Sequence, residues 1–61
     1  MTFEDALGRM KLGARIRRSG WPEDRHVILQ GDRTRLVDGS TERTMSWFTS
    51  DILAIDWEAM V

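Results

Sequence analysis

The chain is predicted to be an α+β domain: an N-terminal helix packed on a small antiparallel β-sheet, with a short helical turn before the last strand. Two observations carry this prediction. Apolar residues near the start recur at helical spacing. From Ala14 onward, short strand-like runs are separated by glycine turns and interrupted once by the polar cluster Thr49-Ser50-Asp51.

The helix opens at Thr2, whose hydroxyl can cap, with Asp5 three residues later in place of the usual Glu or Gln of a capping box. Glu4 and Asp5 suit the positive end of the helix dipole, and Arg9 and Lys11 suit the negative end. Phe3, Ala6, Leu7 and Met10 form one apolar stripe, and Gly13 is placed to stop the helix. Gly8 falls inside it and is expected to mark close packing of the helix backbone on the sheet.

Ala14, Ile16 and Arg18 alternate with Arg15 and Arg17 in a first strand, which ends at Ser19-Gly20-Trp21-Pro22. His26 to Gln30 is a second strand. Its unalternated Val27-Ile28-Leu29 predicts burial on both faces, the second face against a partner molecule. Gly31-Asp32 and Asp38-Gly39 are turn signals, and Leu36-Val37 is expected to pair with Thr41 to Trp47 across the second. Thr49, Ser50 and Asp51 can cap a single helical turn running through Leu53. The final stretch alternates, with Ile55, Trp57, Ala59 and Val61 on the core-facing side.

A chain of 61 residues holds one domain, residues 1–61. A domain of this size buries only about 60% of its unfolded surface, so its core needs reinforcement. With no Cys and a single His, His26, disulfides and Cys- or His-rich metal sites are excluded. Oligomerisation is the remaining reinforcement. Zero Cys also fits a reducing cytoplasm. The net charge of −1 argues against a DNA- or RNA-binding footprint. The sequence holds no run of apolar residues long enough to span a membrane.

No catalytic signature is present: no Cys nucleophile, no HExxH and no glycine-rich phosphate loop. The chain is therefore read as a non-enzyme that needs no cofactor. What remains is Arg and Trp. The nine basic residues are eight Arg and one Lys, and Arg is the planar, bidentate partner of phosphate. Arg15, Arg17, Arg18 and Trp21 lie on one strand and its exit, a combination suited to nucleotide phosphate and base. Trp21 can equally plug the end of the core. Trp57 alternates with Ile55 and Ala59 and is assigned to the core. Of the Trp47-Phe48 pair, one ring is expected inside and one at the surface.

The opening MTFEDALGRMKLGARIRRSGW and the ending WFTSDILAIDWEAMV, with the Asp-Gly turn between them, resemble the Tad2-like anti-Thoeris family of phage proteins. The chain departs from that pattern in being shorter between Leu29 and Trp47, and in having Ser46 where Pro is usual. The resemblance implies a sponge that binds a cyclic ADP-ribose variant of Thoeris signalling without cleaving it, with cyclic dinucleotides of CBASS as further ligands. It also implies a homotetramer with ligand pockets at subunit interfaces, working in the cytoplasm of the infected host. A diphosphate calls for Arg17 or Arg18, which point to opposite faces of their strand. Adenine calls for an aromatic face, Trp21 or Trp47. Ribose hydroxyls call for Asp51, Thr49 or Ser50. Asp51 has a rival role as a helix cap. The competing reading of the same residues is a protein–protein inhibitor or structural subunit with a Trp-rich interface.

Overall fold

The computed structural model describes residues 1–60. Val61, expected on the core-facing side of the final stretch, lies outside the described residues. Helix α1 (Phe3–Lys11) is followed by β1 (Arg15–Arg18), β2 (Arg25–Gln30), β3 (Arg33–Asp38), β4 (Thr41–Thr44), the one-turn helix α2 (Thr49–Ile52) and β5 (Trp57–Met60). The strands form one antiparallel sheet in the order β4-β3-β2-β1-β5.

Local chemistry explains these elements. Thr2 caps α1, its Oγ1 accepting from the Asp5 amide at 3.2 Å. Beyond the helix, Gly13 takes φ 101°, a left-handed conformation that stops it. Two-residue loops join Gln30 to Arg33 and Asp38 to Thr41, each opening with a glycine at positive φ, Gly31 at 65° and Gly39 at 61°. These hairpins fix the register of β2, β3 and β4.

Register decides which side chains share a face. The rung Ala59–Ile16–Val27–Leu36–Arg43 runs across all five strands on one face of the sheet. Ile16, Val27 and Leu36 are buried there with Ala6, Met10, Met45 and Trp57. Helix α1 covers this face over β1 and β5 and reaches β2. The remaining part is crossed by residues 45–56, which carry the chain from β4 at one edge to β5 at the other. The opposite face carries Arg17, His26, Ile28, Arg35, Val37, Glu42 and Met60, and among the described residues no helix covers it.

Two expectations are corrected. Gly8 is exposed, and a Cβ there would meet no heavy atom within 4 Å, so it does not mediate close packing on the sheet. Ile55 is 77% exposed because β5 begins only at Trp57. In the Val27-Ile28-Leu29 run of the single chain, Val27 lies in the core, Ile28 is half-buried on the opposite face, and Leu29 is exposed near the strand end.

Candidate functional site

An aromatic cluster organises one end of the covered sheet face. Trp57, at the start of β5, is almost fully buried. Around it stand Phe3, Trp21 and Trp47, with ring centroids 5.6, 5.5 and 6.0 Å away. Phe3 and Trp47 also meet edge-on at 5.1 Å. The Trp47 indole donates to Thr34 Oγ1 at 3.2 Å, so this ring points inward, while Phe48 turns outward and is 68% exposed.

Asp51 ties the crossing segment to the rest. Its carboxylate accepts from the Phe48 amide at 3.3 Å and from Arg18 Nη1 at 3.1 Å. Its main-chain carbonyl accepts from the Trp57 indole at 2.8 Å. Asp51 is the third residue of α2 and satisfies the amide at the helix start, which is the capping role. Arg18 also donates from Nε to Asp56 Oδ1 at 2.9 Å. The Asp56 hydrogen bond, then that of Asp51, raises the Arg18 pKa above its usual value; the Arg18 hydrogen bond lowers that of Asp56.

A cavity of about 450 Å³ opens between the crossing segment and the sheet. Trp21 contributes from the β1–β2 loop, and Arg25, Leu36 and Arg43 from the sheet. Thr44, Met45, Ser46, Phe48 and Asp51 line it from the end of β4 and the crossing segment. The cavity exists because α1 does not extend over β3 and β4, and the segment from Met45 onward bridges that part rather than packing flat on it. Its volume is in the range of small-molecule sites. Aromatic surface, two arginines and hydroxyls are groups that bind a base, phosphate and sugar.

A family model described as the Tad2-like, Thoeris anti-defense 2-like domain matches residues 1–60. The chain belongs to this family. No curated protein and no solved structure matches it. An anti-defence role follows from membership at the level of the family. Within this Tad2-like domain, the expected site residues separate. Trp21 and Asp51 line the cavity. Arg18 stands behind Asp51, bonded to it and to Asp56. Arg17 projects from the opposite face, and its Nη2 donates to the Trp21 carbonyl. Trp47 faces the core, and Thr49 and Ser50 are exposed on α2 outside the cavity lining.

Sequence reasoning missed Arg25, Arg43 and Ser46 in this Tad2-like domain. Arg43 and Ser46 lie far along the chain from Trp21, and only the β2–β3–β4 register brings Arg25 and Arg43 to one wall. One signal was available: Arg25 alternates with Val27, and Arg43 with Met45, so each sits on the same face as a core residue.

Proposed function

We propose that this Tad2-like domain is an anti-defence sponge that binds a cyclic nucleotide immune signal and holds it unchanged. The ligand is a cyclic ADP-ribose variant of Thoeris signalling, with CBASS cyclic dinucleotides as a further class. The single observation that carries the reading is the nucleotide-sized cavity lined by Trp21, Arg25 and Arg43 in a chain of this family. Among the described residues the only carboxylate lining it, Asp51, already accepts from Arg18 and the Phe48 amide. That commitment supports retention over turnover, because sequestration requires no group reserved for a transition state.

The working form in this reading is a homotetramer in the cytoplasm of the infected host cell. Phe48, Leu53 and Ile55 are 68, 75 and 77% exposed on one short segment beside the cavity. Such an apolar strip supports burial against another subunit. The same strip favours a second reading, an inhibitor that docks on a protein partner. One experiment separates the readings. The protein is incubated with the messenger made by a Thoeris TIR-domain enzyme, freed of unbound ligand and heat-denatured, and the supernatant is analysed by mass spectrometry. Intact messenger is the expected result. A degraded product indicates an enzyme, and an empty supernatant favours the protein inhibitor.

A further inference from the structure

We propose that Arg17 is a positioning residue for the cavity: from the uncovered face of the sheet it holds the main chain of Trp21 and thereby sets the aromatic wall on the covered face. Its effect on the ring stands on geometry alone. Its effect on capture rests on the sponge reading.

Trp21 spans the end of the sheet. Its ring meets Trp57 edge-on, with centroids 5.5 Å apart. The ring also lines the cavity, so part of it faces open volume rather than packed side chains. A side chain packed on one side only takes its orientation from the main chain that carries it and from what anchors that chain. Both main-chain groups of Trp21 are anchored. Its amide donates to the Arg18 carbonyl at 3.0 Å and closes a turn around Ser19-Gly20. Its carbonyl accepts from Arg17 Nη2. The loop ends are fixed by main-chain bonds, Ser19 amide to Asp56 carbonyl at 3.0 Å and Gly39 amide to Asp24 carbonyl at 3.2 Å. Among the described residues, Arg17 is thus the one side chain bonded to the Trp21 main chain.

The alternative role for Arg17 is a solvated arginine on an open strand face. It stands opposite Glu58 on β5, where a cross-strand ion pair would be ordinary. Among the described residues no such pair forms. The guanidinium reaches the Trp21 carbonyl instead. Its Nε is buried and without a partner among the described residues, so this group lies against protein rather than in water. In such surroundings a hydrogen bond from a cation to a carbonyl is stronger than in solvent. The two adjacent β1 arginines therefore serve two walls of one cavity from opposite faces: Arg18 through the Asp51 carboxylate, Arg17 through the Trp21 carbonyl.

The test is proton–nitrogen correlation spectroscopy of the indole N–H groups, followed by ligand titration. Trp21→Phe identifies the Trp21 resonance by removing it. In Arg17→Met and Arg17→Gln that resonance is expected to move or broaden, while that of Trp47, bonded to Thr34, holds its position. Arg17→Lys keeps a charged donor on a long stem and is expected to restore it. Arg35→Gln removes an ion pair with Glu42 on the same uncovered face and is expected to leave it unchanged. Calorimetric titration with the cyclic ADP-ribose isomer purified from a Thoeris TIR-domain enzyme then reads capture. Binding is expected to weaken about fivefold in Arg17→Met and Arg17→Gln and to recover in Arg17→Lys. If the Trp21 resonance coincides with wild type in both variants, or moves while affinity stays within about twofold, the positioning role is overturned and the sponge reading is untouched. If the resonance moves as expected but the wild-type protein binds no messenger, the sponge reading falls and the hold of Arg17 on Trp21 remains.

Discussion

Trp57→Phe isolates the hydrogen bond that ties the aromatic cluster to the crossing segment. The substitution keeps an aromatic ring among Phe3, Trp21 and Trp47 but deletes the indole N–H that donates to the Asp51 carbonyl at 2.8 Å. That bond is buried, and without it the carbonyl keeps only the Ala54 amide, at 3.3 Å. Losing one buried hydrogen bond of an acceptor that keeps another costs about 0.5–1.5 kcal/mol. The smaller ring leaves a void in a site that is 1% exposed, adding about 1 kcal/mol. The expected loss is thus about 1.5–2.5 kcal/mol. A domain of this length has a total of roughly 3–9 kcal/mol to lose. Because each 1 kcal/mol moves the midpoint of so small a domain by about 4–8 °C, thermal denaturation should shift down by at least about 6 °C. The assay is circular dichroism melting of both proteins at equal concentration, since any oligomer makes the midpoint concentration-dependent. A shift below about 3 °C would show that the bond contributes nothing and that Trp57 is held by shape alone.

Two other substitutions test distinct parts of the structure. Gly8→Ala should stabilise α1 by up to about 1 kcal/mol, because the position is helical and exposed and the new methyl meets no heavy atom within 4 Å; a lowered midpoint in urea denaturation would contradict this placement. Arg18→Gln should flatten the acid limb of the stability curve. The Arg18 hydrogen bond depresses the folded-state pKa of Asp56 below its usual 3.8, so the associated stability is present above that value. As pH falls below it, the unfolded chain takes up the proton first and the contribution is lost down through the depressed folded pKa. Denaturation midpoints measured from pH 5 downward should fall less steeply in the variant, and parallel curves would remove Asp56 from the account.

What the sequence reveals of this fold is what local chemistry decides. Thr2 with Asp5, the stripe from Phe3 to Met10, and the Gly31 and Gly39 turns each act within a few residues, and each is realised in the structure. The helical turn at Thr49–Ile52 and the burial of Trp57 follow for the same reason. The limits are equally physical. Alternation located the last strand but not its start, because Asp56 alternates as a strand residue would while bonding to Arg18 and Ser19 outside the ladder. A run of three apolar residues did not reveal that a short helix would cover only part of the sheet. Arg17 and Arg18 drew attention by adjacency, yet a strand sends neighbours to opposite faces, and protein carboxylates occupy Arg18. Arg25 and Arg43 meet at one wall only through two hairpin registers, which no short window of sequence displays.

The pairing of β1 with β5 has a consequence for the order in which the cavity arises. The meander β2–β3–β4 closes through two-residue loops, so its contacts form between near neighbours in the chain. The rungs Arg15–Met60 and Arg18–Trp57, by contrast, join the two ends of the domain and carry the largest loop-closure entropy. Trp21 leans on Trp57, and Asp51 is anchored by the Trp57 indole, so both cavity walls wait for that closure. A growing polypeptide that has not yet released β5 has its hairpins and arginines but no cavity. The cavity therefore forms only once β5 has paired with β1, a step that the intrinsic fluorescence of the Trp21, Trp47 and Trp57 cluster follows.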